Sequence, residues 1–237
     1  MHAALQPETL TRSVEDYLKA IYRLSPEGQP ASTSEIANLL ELSPASVSGM
    51  VKRLSEQGLL EHLPYRGVQL TDDGRRAALR MVRRHRLIEA YLVAMLGYTW
   101  DTVHEEAERL EHAVSDTLVE RMAAVLGHPR VDPHGDPIPA ADGSIDEPAS
   151  VALADVPLGQ TVELRRVDES QPERLRYIAS IGLTPGVAVT VLDRQPFQGP
   201  ITIQASGRPH VIAHELGRVL LCTATNANSS GTATYDR

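Results

Sequence analysis

Residues 104–116, HEEAERLEHAVSD, place acidic and imidazole side chains at helical spacing. Glu108, Glu111 and His112 stand at positions i, i+3 and i+4, and His104 lies one turn before them. At about 100° per residue, these four side chains fall within roughly a third of a helix's circumference. Carboxylate oxygens and imidazole nitrogens on one face are typical ligands of a divalent first-row cation. Because the stripe contains no thiolate, it favours Mn²⁺ or Fe²⁺ over Zn²⁺ or Cu⁺.

Two other segments could complete such a site. His85 and Glu89 form a second i, i+4 pair on the preceding predicted helix, and Asp16 offers a carboxylate on a helix near the N-terminus. The alternative is a solvated face, on which Glu and His make i, i+4 pairs with Arg109 and its neighbours. For Glu108, Glu111 and His112 the spacing leaves both interpretations open. For His104 taken alone, and for the pair of His85 and Glu89 taken alone, the solvated face is the simpler interpretation.

A metalloenzyme is the competing class of function. A di-iron centre in a helical bundle needs Glu-x-x-His on two helices, but residue 109 is arginine, so the motif is absent before His112. The HExxH motif of zinc proteases is also absent, because HEEAE lacks the second histidine. We therefore expect no catalytic residues and no enzymatic activity.

Composition limits the class of protein further. The 237-residue chain carries a formal net charge of −8 and a single cysteine, Cys222, which excludes an intramolecular disulfide and a cysteine-based metal site within one chain. The sequence shows neither a secretion signal nor an apolar run of about 20 residues, so we expect a cytoplasmic protein without a membrane partner. The negative charge argues against a non-specific nucleic-acid coat protein. It does not exclude a specific DNA-binding protein, because residues 75–86 hold six arginines and no acid.

The first 60 residues predict a helix-turn-helix. Apolar residues at helical spacing indicate a first helix within residues 10–24, and Ser34 is the expected cap of a short second helix. Ser43 followed by Pro44 predicts the start of a third helix, since a capping side chain precedes proline at the first helical position. The turn between these last two helices spans three to four residues, as in a helix-turn-helix.

A predicted β-hairpin follows directly, with PYRG as the turn between LLEHL and VQLT. In that position a hairpin is the wing of a winged helix-turn-helix. The outward face at the start of the third helix is small and polar, which suits the major groove. The hairpin tip could contact phosphate or reach the minor groove. The residues predicted at DNA are Ser43, Pro44, Ala45, Ser46, Ser48, Gly49, Lys52, Tyr65 and Arg66.

The remainder predicts long helices and then a small β domain. We expect helices at about 71–95 and 100–126, and residues 127–149, rich in proline and glycine, as a linker or strap. From residue 151, TVELRRV, VAVTVLD, ITIQAS and HVIAHE predict strands, with QPERLRYIASIG as the one helix of a five-stranded barrel. The fold class is therefore mainly α with a small all-β C-terminal domain. The tail after residue 223 is expected to be disordered.

These motifs in series resemble the DtxR/MntR family of metal-dependent transcriptional regulators. The resemblance covers residues 10–140 and rests on SEIANLLELSPASVSGMVKRLSEQGLL, the YRG-tipped hairpin ending in LTDDG, RRHRLIEAYL, HEEAERLEHAVSD and GDPIP. RLRYIASIGLTPG and the following strands are similar to the SH3-like (FeoA-like) domain of longer members. The resemblance implies a winged helix-turn-helix at 1–74, a helical metal-binding and dimerisation domain at 75–140, a linker at 141–150, an SH3-like domain at 151–223 and a tail at 224–237.

The resemblance also implies a function and two metal sites. The chain would be a homodimeric, manganese-dependent repressor of metal homeostasis, bound to palindromic operators near metal-transporter genes when its divalent effector is present. Iron-responsive members carry Met and Cys at the positions of Asp16 and Glu108, so this chain resembles the manganese branch, with an Fe²⁺-responsive regulator as the alternative. The implied primary ligands are Asp16, Glu108, Glu111 and His112, and the implied ancillary ligands are His85, Glu89, His104, Glu169 and Gln171.

Lys19 departs from the family pattern. Short members with a binuclear manganese site have Glu one turn after the Asp, where this chain has Lys19. The resemblance therefore implies separate primary and ancillary sites. Without an ion, the clustered carboxylates should repel one another and let the first helix shift. With it, the two recognition helices should lie about one DNA turn, or about 34 Å, apart.

Overall fold

The computed structural model describes residues 10–25, 28–168 and 171–224. The chain divides into two compact units. The first contains the described residues of Met1–Tyr91 together with Glu106–Arg130 and Ile138–Asp146, and the second contains Leu92–Glu105, Val131–Pro137 and the described residues after Glu147. None of the helices in the described part is both long and apolar enough to span a membrane.

The elements up to residue 130 are helical apart from one hairpin. In chain order they are α1 (Arg12–Leu24), α2 (Thr33–Leu39), α3 (Pro44–Glu56), β1 (Leu60–Leu63), β2 (Gly67–Leu70), α4 (Asp72–Leu96), α5 (Val103–Leu110) and α6 (Asp116–Val125).

The starts of α2 and α3 follow from capping side chains. Ser32 Oγ accepts a hydrogen bond from the Glu35 N–H (3.2 Å), and the Glu35 carboxylate accepts one from the Ser32 N–H (2.8 Å), which is a capping box. The prediction of Ser34 as this cap is wrong, because the reciprocal S-x-x-E pair begins at Ser32. Ser43 caps α3 with Pro44 in its first turn, as predicted.

The hairpin β1–β2 is antiparallel and tied to the segment before α2. Val68 and Ala31 exchange two backbone hydrogen bonds of 2.9 Å. Gly67, with φ of 117°, allows this close approach, since a Cβ there would lie 2.2 Å from the Ala31 carbonyl oxygen. Tyr65 at the tip is fully exposed. The hairpin is therefore tied to the segment before α2 through the residues that follow its turn, while Tyr65 in the turn stays open to solvent.

One apolar core joins α1, α2, α3 and the hairpin. Buried apolar side chains from each of these elements meet in it, and together they fix the orientation of the helix-turn-helix relative to α1. The sequence also predicts Leu39 on the buried face of α2, which is wrong, because 38% of this residue is exposed. Each fully buried aliphatic side chain contributes about 1.5–3 kcal/mol relative to an exposed one. The fully buried members at the centre of this core are Leu18, Ile21, Ile36, Val47 and Leu54.

The prediction of one helix over 100–126 is wrong. The chain forms α5 and α6 with a turn at residues 111–115, and Ser115 caps α6 by accepting a hydrogen bond from the Leu118 N–H (3.3 Å). Glu111 and His112 therefore lie just after the last residue of α5, at the start of the turn. Arg83 pairs with Glu120 at 2.8 Å and connects α4 to α6.

The second unit contains a six-stranded antiparallel sheet in the order β3-β8-β4-β5-β6-β7. Its core is aliphatic and includes Leu164, Val191, Ile203 and Cys222. Its elements are β3 (Val151–Ala152), a 3-10 turn (Leu153–Asp155), β4 (Thr161–Val167), α7 (Pro172–Ser180), β5 (Ala188–Arg194), β6 (Ile201–Ala205), β7 (Arg208–Ile212), α8 (His214–Val219) and β8 (Leu220–Ala224).

Two sequence predictions for this unit are wrong in detail. HVIAHE is a strand only to Ile212, and its last two residues begin α8, so α7 is not the one helix. The strand β8, which pairs with both β3 and β4, was not predicted. It is only five residues long and runs straight into a polar tail, so its apolar alternation is too brief to stand out. Apart from Ala224, the predicted tail lies outside the described residues.

Candidate metal centre

Three of the predicted primary ligands converge in the first unit. Asp16 Oδ1, on α1, lies 2.9 Å from His112 Nε2, which lies 3.3 Å from Glu111 Oε1. One ligand atom from each residue lies within 4.8 Å of the other two. His112 Nε2 is buried and has no hydrogen-bond partner among the described residues. Two carboxylate oxygens and an unpartnered imidazole nitrogen fit a divalent cation.

Glu15 sets the orientation of the His112 ring. Glu15 Oε2 lies 2.8 Å from His112 Nδ1. Because a carboxylate only accepts, Nδ1 donates to Glu15, and Nε2 is the nitrogen that faces Asp16 and Glu111. A histidine ligand held in this way by a carboxylate is the usual arrangement around protein-bound metals. Arg84 lies 3.8 Å from the other Glu15 oxygen and donates to the Glu111 backbone carbonyl at 3.1 Å.

Glu111 is the most buried carboxylate of the cluster, with no exposed side-chain area. Its two oxygens accept separate hydrogen bonds, one from His85 Nδ1 and one from Lys19 Nζ, each at 2.5 Å. Burial raises the pKa of Glu111, but the hydrogen bond and charge of His85, with those of Lys19, hold it below its usual value. Glu111 is therefore ionised and available as a hard oxygen donor.

Glu108 reaches the cluster through Lys19. The ammonium of Lys19 lies 2.7 Å from Glu108 Oε1 and so joins both acidic side chains. Burial lowers the pKa of Lys19, but the charges of Glu111 and Glu108 and their hydrogen bonds raise it. Glu108 is not among the three converging ligands. The repulsion expected between Glu108 and Glu111 is offset by this lysine.

Asp16 is a partly buried carboxylate that favours a cation partner. Burial raises its pKa above the usual value, and the neighbouring charges of His112 and Lys19 lower it only in part. A carboxylate that is costly to ionise gains free energy when a positive charge arrives beside it.

Comparison with known proteins identifies the family. Residues 9–68 match the model described as iron dependent repressor, N-terminal DNA binding domain, residues 71–140 the corresponding metal binding and dimerisation domain, and residues 151–218 the FeoA domain. The iron-dependent repressor IdeR of Mycobacterium bovis is 33% identical over 222 residues, which cover 86% of this chain and 96% of that protein. The chain belongs to the DtxR/MntR family of metal-dependent repressors.

Solved structures agree with this membership. A manganese-dependent transcriptional repressor in complex with manganese is 42% identical to this chain, with a TM-score of 0.83. The match covers 89% of this chain and 99% of that structure's chain. ScaR with bound Zn²⁺ is 34% identical, with a TM-score of 0.77 and the same coverage. The predicted fold class is confirmed, and so is the prediction that the chain is not an enzyme, since these DtxR/MntR relatives are repressors.

The residues predicted at DNA lie in the domain that the DtxR/MntR family model describes as DNA binding, and they are exposed. Ser43 and Ser46 join through their hydroxyls at 2.9 Å, and Ser48 Oγ donates to the Pro44 carbonyl at 2.9 Å, which leaves a smooth, polar start to α3. All nine residues predicted at DNA are exposed: Ser43, Pro44, Ala45, Ser46, Ser48, Gly49, Lys52, Tyr65 and Arg66.

Two of the implied ancillary ligands of the DtxR/MntR pattern lie together in the first unit. His85 Nε2 and Glu89 Oε1 are buried and lie 3.0 Å apart. His104 is the second residue of α5, is half-buried and belongs to the second unit, as does Gln171, which precedes α7. Glu169 lies outside the described residues. The ancillary site beyond the His85–Glu89 pair stays a prediction.

Proposed function

We propose that the chain is a manganese-responsive repressor whose primary ligands are Asp16, Glu111 and His112, with Glu108 beside them. The observation that carries this proposal is the convergence of two carboxylates on a buried, unpartnered imidazole nitrogen. Mn²⁺ is a hard ion that suits oxygen and imidazole ligands and gains little from sulfur. The manganese complex of the 42% identical repressor supports the same ion. Fe²⁺ is the second candidate, favoured by the name of the IdeR relative.

The position of the ligands explains how the ion would act on DNA binding. Bound Mn²⁺ would supply positive charge shared by α1 and the turn after α5. Asp16 lies on the polar side of α1, while Leu18 and Ile21 of the same helix pack in the core that contains α3. Fixing α1 to Glu111 and His112 therefore also fixes the recognition helix. Coupling of this kind typically changes affinity by about 5–150-fold.

The proposal includes a homodimer on DNA. The family's metal binding and dimerisation domain supports pairing of two chains. Two copies of α3 about 34 Å apart would meet successive turns of the major groove, so the operator would be palindromic. Operators close to metal-transporter genes are the targets that we infer for a regulator of this type.

A direct test compares the operator affinity of the protein in the presence and in the absence of divalent metal. Operator sequences are first selected from genomic fragments in the presence of Mn²⁺, and binding is then followed by fluorescence anisotropy. We expect about 5–150-fold tighter binding with Mn²⁺ than with EDTA. Anaerobic titration with Fe²⁺ ranks the two ions by their half-saturating concentrations. Equal operator affinity with Mn²⁺ and with EDTA would rule the proposal out.

Glu15 provides a prediction on the metal site alone. Glu15→Ala removes the acceptor of His112 Nδ1, so the ring loses its fixed orientation. We expect Mn²⁺ affinity to fall about 10–100-fold, measured by calorimetry without DNA, and Glu15→Gln to lie between that variant and the wild type. Glu120→Ala is the matched control, since Glu120 pairs with Arg83 elsewhere in the first unit. A Glu15→Ala affinity equal to that of this control would contradict the assignment.

A further inference from the structure

A groove of about 530 Å³ lies where the recognition helix α3 meets β1 and the start of α2. Ser48 and Lys52, which are both predicted at DNA, line this α3 groove from the recognition helix. Thr33 lines it from α2 and His62 from β1, and neither of these two residues is among the nine predicted at DNA. The α3 groove therefore adjoins the predicted DNA surface and extends beyond it.

The α3 groove combines an apolar surface with an unused hydroxyl group. Val51 supplies the apolar part and is 6% exposed. One turn later, Ser55 Oγ is buried and has no hydrogen-bond partner among the described residues. Buried hydroxyl groups normally have a partner, so this one is available to a ligand. The DNA backbone matches this lining, because deoxyribose is largely apolar and phosphate oxygens accept hydrogen bonds from protein hydroxyl groups.

The net charge of the α3 groove depends on one side chain. Three of the described ionisable groups line the groove, and two of them offset each other, because Lys52 Nζ lies 4.0 Å from Glu56 Oε1. The third group is the imidazole of His62, which is exposed. The lining is therefore neutral overall when His62 is neutral, and it carries one positive charge when His62 is protonated.

The neighbours of His62 leave that charge directed into the groove. Among the described residues of the lining, α2 supplies Thr33, which is uncharged. Across the hairpin, His62 pairs with Val68 of β2, which is apolar and buried. Glu61 precedes His62 on β1, and its side chain points to the opposite face of the hairpin because successive strand residues alternate. The charged groups that His62 faces are thus Lys52 and Glu56.

We propose that the α3 groove binds a backbone phosphate of DNA, and that His62 strengthens this contact in mild acid. Histidine changes its charge between about pH 5 and 8, and a phosphate beside the ring favours the protonated form. Protonated His62 and Lys52 then hold the phosphate together, and the Ser55 hydroxyl donates to it. The inference rests on the DNA binding of the proposed function. It adds a backbone contact away from the start of α3 and a pH dependence that needs no metal.

The test uses the full chain and a short duplex of random sequence in EDTA at low salt, because a phosphate contact requires neither an operator nor Mn²⁺. Fluorescence anisotropy gives the affinity at about pH 6 and about pH 8 over a range of salt concentrations. We expect the wild type to gain about two- to fivefold in affinity at the lower pH relative to His62→Gln. The slope of log affinity against log salt should also be steeper by about 0.9 in the wild type at the lower pH, since one more phosphate is neutralised.

Two further variants complete the test. His62→Lys carries a positive charge at both pH values, so at the higher pH it should bind the duplex as tightly as the wild type does at the lower pH. His210→Gln, which removes a histidine from β7 in the second unit, should keep the wild-type pH dependence.

Each outcome decides for or against the inference. The same gain at low pH in the wild type and in His62→Gln overturns it, and so does a His62→Lys variant that binds no tighter than the wild type at the higher pH. Failure of the wild type to bind the duplex at low salt also overturns it. The proposed function is judged separately, from operator affinity with and without Mn²⁺, because the random duplex in EDTA contains neither operator nor metal.

Discussion

Glu111→Ala is expected to lower the free energy of unfolding of the first unit by about 3–5 kcal/mol. The Glu111 side chain is fully buried and accepts hydrogen bonds from both His85 and Lys19. Removing it leaves two basic groups without their shared acceptor inside the protein. Unfolding in guanidinium chloride with EDTA measures this loss independently of any metal.

The pH dependence of that loss identifies its electrostatic origin. Burial opposes the charged form of His85, but hydrogen bonds to Glu111 and Glu89 raise its pKa to about 9. Stability from a raised pKa is complete below the ordinary value of 6.5 and is lost as the pH rises through about 9. The lowered pKa of Glu111 gives stability that is complete above the ordinary 4.5 and is lost in acid. The difference between wild type and Glu111→Ala should therefore be greatest between pH 4.5 and 6.5 and shrink toward pH 9.

Two variants control for the size of the effect. Glu111→Gln keeps the shape and one acceptor oxygen, so it should lose less than Glu111→Ala. Glu56→Ala removes an exposed acid that is 4.0 Å from Lys52 and should cost under about 0.5 kcal/mol. If Glu111→Ala costs no more than Glu56→Ala, the buried ionic cluster does not stabilise the fold.

The winged helix-turn-helix could be predicted from sequence because its signals are local. Ser43 and Pro44 alone predict the start of a helix. The four residues PYRG alone predict the hairpin turn. The break between α5 and α6 was missed, since residues 104–126 keep helical spacing almost throughout and only Ser115, a possible cap, signals the interruption. Helical spacing still grouped Glu111 with His112, because the turn at residue 111 follows α5 directly and its N–H bonds to the Ala107 carbonyl as in a helix.

What sequence spacing could not supply is the relation between helices. The family resemblance implies Asp16 as a ligand, and no spacing within α1 identifies its neighbour Glu15 as a partner of the same ring. The structure shows that the His112 ring extends between them and contacts both. In the sequence, Lys19 is a departure from a family pattern. Its role between Glu108 and Glu111 depends on how α1 packs against the end of α5, which no spacing within one helix describes.

His112→Ala is expected to abolish the effect of Mn²⁺ on operator binding. Nε2 of His112 is the atom that the cluster leaves buried and unpartnered, so its loss removes one of three converging ligands. Operator affinity in EDTA should equal that of the wild type, because the exposed start of α3 is unchanged. The increase of about 5–150-fold on adding Mn²⁺ should disappear. His210→Ala, in β7 of the second unit, should keep it.

Reciprocal linkage provides a second measurement on the His112→Ala variant. In the wild type, operator DNA must raise Mn²⁺ affinity by the same factor by which Mn²⁺ raises operator affinity. His112→Ala should therefore lose both effects together, which calorimetry with and without operator measures. A variant that binds Mn²⁺ weakly yet keeps the full coupling would show that His112 contributes affinity only. In that case, the connection between α1 and the turn after α5 would have to pass through Asp16 and Glu111 without it.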